Sequence, residues 1–310
     1  MKTFFQMKLN LVIFLFALFL CLSSYSCAES ETTDEKLKVL HDKTFTISSG
    51  NDFKLDAASG DIIISSWDKN EVHVKILGNN KAKEKVKFSF HESSDLVEVE
   101  AKYDWSFFMM VKGVELRFEI QVPKEFNIDA GTSGSDIKLQ SIKGKVLTET
   151  SGGDIDVSDL NGNIELSTSG GDISFNSTFG DLNLSTSGGN IKGDNFSGKL
   201  DASTSGGDIN LIGYDVKIGA STSGGNISLD YSGQNQGIEL STSGGNITAI
   251  LPQNFNAAAN ISALGGSIKS DFKANNPVEI SSSKFEAEIN NGGSSLIMET
   301  SGGDIVVKKK

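Results

Sequence analysis

From Thr132 onward, apolar and polar residues alternate in short bursts that return on a fixed beat. Thr-Ser-Gly-Ser-Asp-Ile begins at Thr132, and close copies begin at Thr150, Thr168, Thr186, Thr204 and Thr222, each step being 18 residues. Further copies begin at Thr242 and Thr300, with a degenerate one, Ala-Leu-Gly-Gly-Ser-Ile, at Ala263. Each repeat has two halves. Ile155-Asp156-Val157 follows Gly-Gly-Asp, and nine residues later Ile164-Glu165-Leu166 follows a single glycine. Apolar residues two apart with a polar residue between them mark a strand with one buried face. A third apolar residue, Ile142, Leu160, Phe179, Phe196 or Tyr214, falls between the triplets and is expected to point inward as well.

Two strands this short cannot bury their own apolar faces, so successive repeats must stack. The expected fold is all-β: a right-handed parallel β-helix, or solenoid, with 18-residue coils over residues 127–310. Glycines fit its corners because a sharp bend needs backbone angles that a β-carbon penalises. Residues 44–126 break the period but still alternate, as in Ile62-Ile63-Ile64 and Val97-Glu98-Val99, and read as a β-rich cap. Trp67, Trp105, Phe107 and Phe108 are expected to supply the cap's core, with Phe107 to Val111 as an alternative partner or membrane contact. At the far end Lys308, Lys309 and Lys310 are expected to blunt the last edge.

Ahead of the cap lies a different pattern. Lys2 and Lys8 precede an apolar run from Leu9 to Leu22, which reads as a secretory signal over residues 1–26. Both cysteines fall here: Cys21 leaves with the leader, while Cys27 sits where bacterial lipoproteins carry the acylated cysteine. The preceding Ser24-Tyr25-Ser26 departs from a standard lipobox, and the plain alternative is cleavage near Ser26 or Ala28. Residues 27–43 read as a lipidated tether. With no other cysteine, the fold rests on packing alone.

Charge narrows the partners. The formal net charge is −12, the leader is basic, and the only arginine is Arg117, so nucleic acid is not expected. His41, His73 and His91 lie before the repeats without ligand spacing, and no nucleophile has an identifiable base, so neither an enzyme nor a cofactor is expected. The sharpest chemical signal is the Asp/Asn ladder, Asp136, Asp154, Asp172, Asn190, Asp208, Asn226, Asn246 and Asp304. Stacked carboxylates repel unless hydrogen-bonded or bridged, so Asp136, Asp154, Asp172, Asp208 and Asp304 are weak candidates for a cation ladder. Calcium β-rolls need a third glycine that is absent here, and turn chemistry is the preferred reading. A hydroxyl ladder runs beside it, in which alternation turns the serines outward and threonines such as Thr168 and Thr186 inward at a corner.

Ser59-Gly60-Asp61-Ile62, then Trp67-Asp68, then Phe118-Glu119-Ile120-Gln121-Val122-Pro123 leading into the glycine-rich repeats, resembles a bacterial adhesin-candidate family of β-strand-repeat proteins of unassigned function. The resemblance implies a β-helix displayed in a bacterial envelope. The leading functional expectation is a non-enzymatic, envelope-anchored surface binding module, held to the membrane through its N-terminal lipid and taking a host or matrix protein or glycan as partner. A periplasm-facing structural or stress-sensing component stands second, and a polysaccharide-active β-helix enzyme third.

Overall fold

The repeats form bent strands that each run through two faces of a solenoid. In the computed structural model, which describes residues 37–104 and 112–310, β9 (Ile137–Thr150), β10 (Ile155–Thr168), β11 (Ile173–Thr186), β12 (Ile191–Thr204) and β13 (Ile209–Thr222) are continuous 14-residue strands. The leader, Cys27 and the segment 105–111 lie outside the described residues. Adjacent repeats pair in parallel at the 18-residue offset, Ile155 with Ile173, Leu166 with Leu184 and Thr168 with Thr186. Each triplet therefore hides against its copy, with Ile155, Ile164, Leu166, Ile173, Leu184 and Ile191 fully buried. Every such side chain contributes roughly 1.5–3 kcal/mol on leaving water.

Each bent strand turns from its first face to its second at one residue in the left-handed region: Ser141, Asp159, Ser177, Asn195 and Asp215, with φ between 46° and 59°. Asx residues tolerate that conformation better than other residues with a β-carbon. The residue after the bend faces inward, so the bend, not apolarity, sets the phase. Ile142, Leu160 and Phe196 follow it and are buried as expected. In β11 the bend at Ser177 puts Thr178 inside and leaves Phe179 half-buried. In β13 the bend moves to Asp215, Val216 takes the inner place, and Tyr214 is 59% exposed.

The two ends depart from chain order. On one face the strands run β7 (Leu116–Pro123), β3 (Asp61–Trp67), β9, β10, β11, β12, β13, β14 (Ile227–Ser232), β16 (Ile247–Leu251), β22 (Ile305–Lys309) and β18 (Ile268–Ser270), all parallel. On the other they run β6 (Leu96–Tyr103), β2 (Asp52–Ala57), β8 (Asn127–Thr132), then β9 to β13, β15 (Ile238–Thr242), β21 (Ser295–Thr300) and β17 (Ala257–Ala263). The β2–β3 winding is thus inserted between β6–β7 and β8–β9, and the β21–β22 winding between β15–β16 and β17–β18. Strands from the segment read as a cap are part of the solenoid stack itself. Lys308 and Lys309 sit on β22, an interior strand, with Lys309 4.8 Å over the Phe272 ring, and Lys310 just beyond it pairs with Asp230.

Antiparallel strands close both ends. β4 (Glu71–Gly78) and then β1 (Lys38–Thr46) extend the first face beyond β7, and β5 (Val86–Glu92) extends the second beyond β6. β1 begins inside the stretch read as a tether. β20 (Lys284–Ile289) and β19 (Ala274–Ile280) extend the opposite end beyond β17. Trp67 is half-buried at the β3–β4 turn, where its Nε1 donates to the Glu71 carbonyl at 2.8 Å. The core near this end comes instead from Phe53, Leu55, Ile62, Ile64, Phe118, Ile120 and Phe126. Trp105, Phe107 and Phe108 lie outside the described residues.

Candidate functional site

Two ladders run along the Thr-Ser-Gly-Gly-Asx corner, and their geometry decides what the corner can do. Thr168 Oγ1 donates to the Gly153 carbonyl of the previous winding at 2.9 Å and accepts the Gly171 N–H at 3.3 Å. Thr186, Thr204, Thr222, Thr242 and Thr300 repeat both bonds, and all are buried. These hydroxyls satisfy backbone groups that a tight corner would otherwise strand. They face inward and present nothing to a ligand.

The single glycines Gly144, Gly162, Gly180 and Gly198 have the positive φ expected of them, but the paired glycines have a different cause. The second glycine of each pair is not in the left-handed region, but a β-carbon on Gly171 would stand 2.0 Å from the Gly153 carbonyl oxygen. Gly189, Gly207 and Gly225 meet the same obstacle at 1.9–2.0 Å, whereas Gly170 has its nearest neighbour at 3.6 Å. Close backbone approach, not torsion, demands glycine there.

The ladder of Asp136, Asp154, Asp172, Asn190, Asp208, Asn226, Asn246 and Asp304 is one continuous hydrogen-bonded column. Asp136 Oδ1 accepts the Asp154 N–H at 2.9 Å, Asp154 accepts from Asp172 at 2.8 Å, and Asp172 from Asn190 at 2.6 Å. Asn190, Asp208, Asn226 and Asn246 pass the pattern on to Asp304. Asp304 closes it by accepting the N–H of Ser267 at 2.7 Å and its hydroxyl at 2.9 Å, which holds the carboxyl below its ordinary pKa. An amide oxygen accepts as well as a carboxylate oxygen, so Asn and Asp alternate freely. Among the described residues, no three His, Cys, Asp or Glu side chains gather as a ligand set. His73 Nε2 meets Asp42 at 2.8 Å and stacks on Trp67, and His41 packs edge-on to Phe88 and Phe90. Cys27 lies outside the described residues.

The second face offers a regular outward surface. Asn183, Asp201, Gly219 and Glu239 occupy one register position in four successive windings, and Ser185, Ser203, Ser221 and Ser241 the position two residues on. Gly219 interrupts the outer rank and opens a groove of about 240 Å³ between Asp201 and Glu239, floored by Ala202 and Ala220. Lys199 Nζ pairs with Asp201 at 2.5 Å on its rim. Sequence reading passed over this notch, although a glycine at the outward position of Ile218-Gly219-Ala220 was its one visible sign.

The model of the Toastrack DUF4097 family matches residues 50–308. No curated protein matches the chain. Among solved structures, the chain is similar to a candidate adhesin from Bacteroides fragilis at 12% identity, covering 88% of this chain and 97% of that one with a TM-score of 0.39. A candidate adhesin from Parabacteroides distasonis is 11% identical, covers 89% and 98%, and scores 0.33. A candidate lipid binding protein from the same organism is 12% identical, covers 87% and 96%, and scores 0.31.

Proposed function

The chain belongs to the Toastrack DUF4097 family, and on that footing we propose that it is a non-enzymatic binding module of the cell envelope, an adhesin-type protein anchored through an acylated Cys27. One observation carries the reading. The second face repeats the same outward positions winding after winding, with strands about 4.8 Å apart, and the Gly219 notch lies in its middle. A rigid polar rank of this kind suits an extended, hydroxyl-rich ligand gripped by many weak contacts, each multiplying the next. A host or matrix glycan, or a glycosylated matrix protein, has that chemistry.

Binding of the mature chain to immobilised matrix glycans tests the face. Gly219→Arg fills the notch and should abolish retention while leaving the circular dichroism unchanged; undiminished retention would move the site elsewhere. Reducing-sugar release from the same glycans would instead establish a polysaccharide-active enzyme. Acyl labelling of wild type against Cys27→Ala tests the anchor, and equal labelling would remove it. Protease treatment of intact cells should degrade a surface module. Survival until the outer membrane is opened would favour the periplasm-facing structural or stress-sensing role.

A further inference from the structure

The groove at the solenoid's N-terminal end differs from the repeats in its local charge and in how the core reaches solvent. β1 and β5 are the outermost strands of the two faces there, and between them lies a groove of about 570 Å³. Val39, Leu40, Val86 and Phe88 form its apolar floor, and Lys38 and Lys83 stand on its rim. His41 lies 4.8 Å from the Phe88 ring and 5.2 Å from Phe90, and Lys43 Nζ sits 3.8 Å over Phe90. Val39 is 52% exposed.

The short helix α1 (Asn80–Lys85) buries Ala82 against the core and leaves Lys81 and Lys83 exposed. Residues 38–43 and 80–87 together hold six lysines and two carboxylates, Asp42 and Glu84, and one of the six, Lys87, is paired with Asp104 at 2.7 Å. Asp42 is engaged with His73. The repeats at 137–251, by contrast, hold six lysines against thirteen carboxylates.

We propose that this end docks on an anionic lipid surface. An apolar floor with lysines on its rim matches a bilayer interface, where hydrocarbon lies just beneath phosphate. Lysine stems can lie along the apolar surface while their heads meet the headgroups. The inference rests on the envelope-anchored reading: Lys38 is only eleven residues from Cys27, a reach of at most about 40 Å. An acylated chain would therefore hold this end, and not the acidic repeats, against the membrane.

The test uses residues 28–310, which lack both leader and acyl site but keep every described strand and core residue. Co-sedimentation with vesicles of equimolar phosphatidylglycerol and phosphatidylcholine should show binding that falls steeply with salt, and pure phosphatidylcholine should retain little. A lysine near an anionic surface is worth a factor of about five, so Lys81→Gln with Lys83→Gln should weaken binding about thirtyfold. Lys269→Gln with Lys273→Gln, at the opposite end, should leave it unchanged, and thermal midpoints should match wild type in both cases. Absence of vesicle binding, equal binding to both lipid mixtures, or equal loss from the two double variants would overturn the proposal. Because this chain cannot be acylated, the outcome is independent of whether labelling at Cys27 succeeds.

Discussion

The middle of the solenoid and its two ends solve one stacking problem in different ways. Between β9 and β13 each winding lies on the winding before it in sequence, and chain order equals spatial order. At the C-terminal end the β21–β22 winding, carrying Thr300-Ser301-Gly302-Gly303-Asp304, is threaded inside, and the earlier β17–β18 winding, carrying Ala263-Leu264-Gly265-Gly266-Ser267, lies outside it. The corner explains the choice. At this end the interior winding donates a threonine hydroxyl to the carbonyl on one side and offers an Asx oxygen to the N–H on the other. Thr300 and Asp304 do both, to Gly245 and from Ser267. Ala263 has no hydroxyl to give, so its winding sits where the ladder ends. At this end the winding with the complete corner lies inside, whereas at the other end the β2–β3 winding is interior with Ala57 in the threonine place.

If that is right, corner substitutions should cost as much in the threaded winding as in the middle. Gly171→Ala and Gly303→Ala both drive a β-carbon to about 2 Å from a carbonyl oxygen, at Gly153 and Gly245. Each should lose roughly 3 kcal/mol or more in urea unfolding. Gly170→Ala, with open space, should lose no more than about 1 kcal/mol. A cheap Gly303→Ala would mean that the threaded winding is only loosely seated.

Threonine-to-valine changes should then split in sign. At Thr186 and Thr300 valine strands a buried carbonyl and a buried N–H, at a cost of about 1–3 kcal/mol each. At Thr178 the hydroxyl is buried with no hydrogen-bond partner, so valine should raise stability by about 1 kcal/mol. Parallel thermal melts of the three variants read this directly. A loss at Thr178 would contradict the hydrogen-bond account.

In the Asx column, Asp172→Asn should change stability by less than about 0.5 kcal/mol, because an acceptor remains, while Asp172→Ala should cost about 1 kcal/mol. The smallest effect belongs to the N-terminal cap. His41 is held below its ordinary 6.5, first by burial and then by Lys43. Because its charged form is disfavoured in the folded chain, unfolding takes up a proton there, and stability should fall slightly as pH drops below about 6.5. An imidazole NMR titration with a midpoint at or above that value would refute the assignment.

The repeat, the inward triplets and the corner threonines were legible because each depends on residues close in sequence. Phe179 and Tyr214 were misread because apolarity suggested an inward side chain, whereas the left-handed residue before each inner position fixes the phase. Trp67 was misplaced because size alone implied the core, while its N–H found a partner at a turn on the rim. Threading at the ends was invisible to periodicity, since every copy of the motif can in principle pair with every other. The Gly219 notch and the lysine-rimmed groove arise only when distant residues meet.

Cysteine pairs test the threading most directly. Glu239 pairs with Ile297, and Ile297 with Asn260, so one strand separates Glu239 from Asn260. Neighbouring strands lie about 4.8 Å apart, within disulfide range, while two steps exceed the limit of about 7 Å. In a chain with Cys21 and Cys27 absent, Glu239→Cys with Ile297→Cys should form a disulfide under mild oxidation, and Glu239→Cys with Asn260→Cys should not. Ready bridging of the 239–260 pair, with none at 239–297, would show windings stacked in chain order and would contradict the account.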